Sequence, residues 1–441
     1  MWYNNVRDVR TLRRGRTPDT ESEEQTMRKQ KLLILLCCLL YAFAWLGKYN
    51  YNANILPVVD YYGVSQADAG LVGTYFFVAY AVFQMIDACF CKRFSKRWVI
   101  AGSLVISSVI NLILFFRPPF ESIRYLVFLN GVCQAPLWPM LLSTLGEALD
   151  RKMMDVAVIA MSFSVLLGNV LIYGGSSLFN LGNVFQAIFL FSAILMLLAG
   201  AVWFFSYRAL AGERAGKNTS ADAGEVAPVA APGAKPRGTA RASVIGILIV
   251  CSLIATPASF VKNGLNTWTP NILNREFGFG SSLSIAVTLG FSVFGMLGSA
   301  LSVRVNKRIR DFRALSGFFF LLIMLFLAGA ILSLREKWMI PFLISVGCIA
   351  SLTYAILNAL TSIMPLELRE SINPGFLTGL MNSCASAGGA ISTYAVGSIA
   401  DRGGWNAVFW VLLAISAVST ALPLLSMIPG RVRGRITHRA A

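Results

Sequence analysis

Residues 32–57 read LLILLCCLLYAFAWLGKYNYNANILP, and this stretch decides the fold. From Leu32 to Gly47 no residue is charged, and no two-residue alternation separates an inner from an outer face. A helix of ~20 such residues spans a hydrocarbon core of ~30 Å. Eleven further apolar runs follow, at roughly 68–91, 98–116, 122–146, 155–178, 184–206, 243–272, 281–303, 314–333, 338–364, 373–398 and 405–428. Of the 441 residues, 56% are hydrophobic and 13% charged, whereas soluble chains carry ~25% charged residues. The pattern predicts an all-α membrane protein with twelve transmembrane helices arranged as two six-helix bundles, because in lipid each span must satisfy its own backbone.

One long polar interruption, 208–242, is rich in Ala, Gly, Pro and charge and divides the spans six and six. The predicted parts are a tail at 1–30, a first bundle at 31–207, this linker, a second bundle at 243–428 and a basic tail at 429–441. The polar residues 1–26 are expected to be disordered. No cleavable signal is expected, since the Arg13–Arg14 pair stands too far from an apolar run; Met27, which opens a basic-then-apolar stretch, is an alternative start. The net charge of +17 would suit a nucleic-acid binder, but its placement does not. Of 38 Lys and Arg, 30 lie in the tails and loops on the linker's side, 6 in the opposite loops and 2 inside spans. This positive-inside bias predicts both termini in the cytoplasm of an inner-membrane protein, with a patch for anionic lipid.

The two lysines inside spans carry the chemistry. Lys48 lies ~25 Å along its helix from Lys31, and Lys262 ~30 Å from Arg241. Burial at such depth costs ~2.5 kcal/mol or more unless the lysine meets water, a partner or a substrate. They occupy matching places: Lys48 precedes Pro57 by nine residues and Lys262 precedes Pro270 by eight, while Gly63–Arg93 and Gly278–Arg308 are both 30 apart. A parallel repeat of this kind places a central site between two halves. Two ammonium groups with no acid nearby in sequence predict an anion site; the competing reading is that each snorkels or pairs structurally.

This architecture resembles the major facilitator superfamily. Its loop signature after the second span is degraded to Ala88, Lys92, Arg93 and Arg97, while Gly397, Asp401, Arg402 and Gly404 keep a closer echo after the eleventh. An arginine frequent in the fourth span is Ser143 here. Within the superfamily, Lys48-Tyr49-Asn50-Tyr51 with Pro57 resembles the first-span motif of the organophosphate:phosphate antiporters. Lys262 to Pro270, KNGLNTWTP, looks like that family's seventh-span motif, and Gly131, Gln134, Trp138 and Pro139 look like its fourth-span motif. The resemblance puts the family's two essential arginines on Lys48 and Lys262 and a cavity tyrosine on Tyr80. It departs in those lysines, in Gln84 where one branch has lysine, and in the lack of a fifth-span histidine around Val165–Asn169. Arg grips phosphate as a fork and Lys as a point charge, so the anionic group is left open between a phosphate monoester and a carboxylate.

The expected substrate-binding set is Lys48, Asn52, Tyr80, Gln134, Trp138, Lys262, Asn266, Trp268, Tyr354 and Asn358. Asn169, Tyr173 and Asn382 are further cavity candidates. Asn52 shares a helix face with Lys48, so it is assigned to ligand and Asn50 and Asn54 to packing. Gly168, Gly174 and Gly175 in span 5 and Gly388 and Gly389 in span 11 are expected where helices approach or bend. Asp87, Glu147, Glu367 and Asp401 lie near span ends; for the first three a cytoplasmic gate or charge-relay pairing with loop basic residues competes with a solvated end, and Asp401 is read as a solvated end.

The eight cysteines lie in or beside apolar runs; for Cys89 and Cys91 the small-apolar reading outweighs metal ligation, because the one histidine, His438, is in the C-terminal tail. No metal and no cofactor is expected. No nucleophile–histidine pair, phosphate loop or catalytic carboxylate pair stands out, so the chain is read as a carrier and not an enzyme. Its expected partners are a small anionic substrate, inorganic phosphate and the bilayer, with no nucleic acid and a monomeric state. Two rivals stay open: a proton-coupled symporter of sugar acids or other carboxylates, and a membrane sensor that binds a sugar phosphate without moving it.

Overall fold

A computed structural model of the protein describes residues 18–90, 94–211, 238–368 and 374–427, and every regular element among them is helical. Helix α1 (Pro18–Ala53) ends where Asn54 leaves helical geometry, at φ −106° and ψ 19°. The Asn54 amide side chain donates to the Asn50 carbonyl at 2.9 Å, which also accepts from the Asn54 backbone N–H at 3.2 Å. The span resumes as α2 (Ile55–Tyr62), with Pro57 in its first turn, where the missing N–H is tolerated. Gly63 closes it at φ +62°, a left-handed cap.

Then follow α3 (Gln66–Phe90), α4 (Lys96–Phe115), and α5 (Phe120–Gln134) with α6 (Leu137–Ala148), divided beside Pro136. The fifth span is α7 (Arg151–Asn169), a π-helical turn at Val170–Gly174, and α8 (Gly175–Leu181); α9 (Ala187–Leu210) completes the first half. The second half holds α10 (Gly238–Phe277), α11 (Ser281–Asn306), α12 (Phe312–Arg335) and α13 (Met339–Asn358). A second π turn at Ala359–Ile363 leads to α14 (Met364–Glu367), and α15 (Pro374–Met427) follows.

Eleven helices among the described residues are long and apolar enough to cross a bilayer. The last, Leu377–Pro423, has 47 residues, about twice what one crossing needs. It is two spans joined at Gly404, whose φ of 71° and ψ of 177° turn the chain, so the two final predicted runs are both present. Two expectations shift. The helix begins at Pro18, inside the region expected to be disordered, and helices reach Leu210 and restart at Gly238, shortening the expected linker at both ends. The rest of that linker, the tail residues 1–17 and 429–441, Cys91, Lys92, Arg93 and His438 lie outside the described residues.

The core is unevenly shared. Around Phe319, Phe320, Phe342 and Phe409, the apolar cluster of the second half also takes in Ile55, Val59 and Ala69 of the first. A first-half cluster around Phe76, Phe77 and Phe189 includes Ile285 and Ala390 of the second. The remaining first-half cluster, around Leu33, Leu141 and Trp203, contains first-half residues alone. The halves therefore share apolar core at the end remote from the linker. Within the first half, Asn50 donates to Asn111 at 2.6 Å and to Ser192 at 3.0 Å, while Asn54 donates to Ser176 at 2.7 Å. These buried amides join spans, as expected of polar groups in lipid-embedded bundles.

Candidate substrate-binding cavity

Small residues let α3 and α15 approach closely at the sealed end. A Cβ on Gly70 would strike the Thr393 carbonyl, and one on Gly397 would lie 2.5 Å from the Gln66 carbonyl oxygen. Thr74 Oγ1 donates to the Ala390 carbonyl at 2.5 Å. The Asp401 carboxylate accepts from the backbone N–H groups of Gln66 at 3.2 Å and Ala67 at 2.7 Å, capping the start of α3 from the other half. A carboxylate there also meets the positive end of the helix dipole. Arg275 pairs with Asp60 at 2.8 Å across the same face. Asp401, expected as a solvated end, is exposed and also makes a contact between halves. Glu147 pairs with Lys96 of the basic loop before the third span, as pairing with loop basic residues predicts, and Glu367 accepts from Asn306 at 2.7 Å; each contact stays within one half.

Behind this seal lies a cavity of about 470 Å³, reaching from Lys48 and Lys262 toward Leu142, Thr361 and Thr378 near the linker-side ends of their spans. A recess of about 20 Å³ continues toward the seal beside Asn52, Tyr173 and Asn266. Lys48 and Lys262 both line the larger space, one from each half. The Lys48 ammonium sits 3.5 Å from the Tyr80 ring centre, with Trp45 at 5.2 Å, Tyr49 at 5.4 Å and Phe76 at 5.9 Å. Electron-rich ring faces hold a cation without neutralising it. Lys262 faces one ring, Tyr354, at 4.8 Å. Among the described residues, no Asp, Glu or His lines the cavity or its recess.

Of the expected set, Lys48, Tyr80, Trp138, Lys262, Tyr354 and Asn358 line the larger cavity, and Asn52 and Asn266 the recess. Gln134 borders a small pocket beside Lys48 and donates to Asn130 at 3.3 Å. Trp268 is elsewhere. It is fully buried in the seal, donates to the Thr393 carbonyl at 3.1 Å and lies 6.0 Å from the Trp405 ring. With its indole N–H satisfied there, it has no face toward the cavity, and the expectation for it is corrected.

Sequence reasoning missed Tyr41, Trp45, Asn263, Thr361, Ser362 and Thr378, which line the same space. Tyr41, Trp45 and Tyr49 fall four apart, one face of a helix, so a signal existed. Asn169 directly precedes the first π turn and Tyr173 lies within it, while Thr361 and Ser362 lie within the second. Such turns widen the helix locally and recur at functional sites, yet their i to i+5 pairing leaves no mark in residue type.

A helical membrane protein with a central cavity between two halves, sealed at one end, has the architecture of many repeat-built transporters. A family model of the Major Facilitator Superfamily matches residues 37–373, and the chain belongs to that superfamily. It is 22% identical over 386 residues to human sugar phosphate exchanger 3, covering 79% of this chain and 77% of that protein. It is 21% identical over 431 residues to the membrane sensor protein UhpC of Escherichia coli K12, covering 89% and 91%. A bacterial homologue of the human lysosomal transporter Spinster, solved in an inward-facing and occupied conformation, shares the fold with a TM-score of 0.71 at 14% identity, over 90% of this chain and 96% of that one.

Proposed function

We propose that the protein is a secondary transporter that moves a small organic anion, a sugar phosphate or glycerol phosphate, in exchange for inorganic phosphate by alternating access. The observation that carries this reading is that Lys48 and Lys262, from opposite halves, line one cavity that no acidic side chain lines among the described residues. An anion there would attract both ammonium groups and draw the halves together. An empty carrier would close two like charges on each other, which favours obligatory exchange over one-way flow. The rocking units are residues 31–207 and 243–428, acting within one monomer, with no cofactor. The likeness to a sugar phosphate exchanger supports the substrate class.

The bias of 30 of 38 basic residues toward the linker side supports a reading with both termini in the cytoplasm and the chain in the inner membrane. The cavity then opens inward and the Asp401 seal faces outward. The test is uptake of labelled phosphate into proteoliposomes loaded with phosphate, with a sugar phosphate, or with neither. Uptake requiring an internal anion supports exchange; equal uptake into empty vesicles rules exchange out. The likeness to a membrane sensor favours a second reading, which binding without any uptake would establish.

A further inference from the structure

The turns that follow the second and eighth spans hold matching places in the repeat, and both are basic. They use their cations differently. In the first half, Lys96 pairs with Glu147, and Arg97 donates to the Phe204 carbonyl at 2.8 Å with its guanidinium 3.9 Å from that ring. In the second half, Arg304, Lys307, Arg308 and Arg310 are exposed, and their side chains have no hydrogen-bond or ion-pair partner among the described residues. The one carboxylate of that turn, Asp311, is taken by Arg313, whose Nη2 donates to it at 2.8 Å and whose backbone N–H donates at 2.9 Å.

These free cations sit at a defined depth. Val293, Leu297, Leu301 and Arg304 follow one another by four, four and three residues, so they share one face of α11. All four are exposed, and the face therefore changes from apolar to basic in the last turn of the helix. On a membrane-spanning helix that change marks the passage from hydrocarbon to headgroups. Val305, Ile309 and Phe312 pack into the core of the second half, and the N–H groups of Arg308 and Ile309 both donate to the Val305 carbonyl, at 2.9 Å and 2.8 Å. The turn is thus anchored from inside while the residues between those anchors carry charge outward. We propose that the turn from Arg304 to Arg310 binds the headgroup of an anionic phospholipid in the linker-side leaflet and ties the second half to the membrane surface. The basic excess of the whole chain attracts such lipid by diffuse charge; here four fixed cations within seven residues make a local site. Its arginines offer forks to the phosphodiester and its lysine a point charge. Nothing in the site depends on what the cavity carries.

The experiment follows the thermal stability of the purified protein in neutral detergent as phosphatidylglycerol or phosphatidylcholine is added. Phosphatidylglycerol is expected to raise Tm, and phosphatidylcholine to leave it nearly unchanged. The triple variant Lys307→Gln, Arg308→Gln, Arg310→Gln should need about fivefold more phosphatidylglycerol for each cation removed. A control removes three other exposed linker-side cations, Arg28→Gln, Lys31→Gln and Arg208→Gln, and should keep most of the response. Equal losses in the two triple variants would reduce the effect to net charge and overturn the site. A wild-type protein that answers both lipids alike would also overturn it, and would leave the turn to an acidic protein partner. Should the turn variant not fold, Arg308→Gln alone, expected to lose about fivefold, takes its place.

Discussion

Lys48 and Lys262 hold matching places in the two halves, yet one sits among four aromatic rings and the other beside one. The difference extends to the walls behind them, aromatic on the first half and rich in amides and hydroxyls on the second. On the proposed function, charge in both halves serves an anionic group, and the unlike walls serve the body attached to it. The same comparison separates groups that face ligand from groups that hold helices together, since Asn52 lines the recess while Asn50 and Asn54 join spans.

The largest effect is expected from removing either charge. Lys48→Ala or Lys262→Ala should reduce phosphate exchange by about a hundredfold or more, because truncating one member of a desolvated charge contact costs ~2–5 kcal/mol. Next, Asn50→Ala should lower thermal stability by ~1–3 kcal/mol, by leaving Asn111 and Ser192 short of a partner, with little change in substrate affinity. An affinity loss as large as that of the lysine variants would erase the distinction between packing and ligand asparagines.

Arginine substitutions sharpen the contrast between the lysines. Lys262→Arg has one ring to accommodate and should retain more exchange than Lys48→Arg, whose broad guanidinium must enter the four-ring cage. Equal activity of the two would mean that the cage does not constrain Lys48. The smallest effect belongs to the seal. Asp401→Ala removes the cap on α3 and should weaken closure by ~0.3–1 kcal/mol. The readout is a modest rise in labelling of a cysteine placed at Asn52 by a reagent applied from the sealed side.

Much of this was legible in the sequence, for reasons that are physical. Spans could be counted because hydrocarbon demands about 20 apolar residues per crossing, and the two lysines stood out because charge inside such a run needs a reason. The helical period alone separated Asn52 from Asn50 and Asn54. Motif likeness misled at Trp268, because a motif marks a span without fixing which face a side chain takes, and its indole found the Thr393 carbonyl. The aromatic face of Tyr41, Trp45 and Tyr49 was visible as a four-residue spacing but was obscured by the many other aromatics in the spans. The π turns beside Asn169 and Asn358 depend on packing between spans, which no local pattern records.

The central claim is that the two lysines form one anion site, and a double-mutant cycle on binding tests it most directly. Inorganic phosphate binding would be measured by calorimetry on the wild-type protein, Lys48→Ala, Lys262→Ala and the double variant. If both ammonium groups grip one anion, each single variant loses about 30-fold or more, and the double variant loses far less than the product of the two. Single variants that bind like the wild type, or a double variant whose loss equals the product, would contradict a shared site.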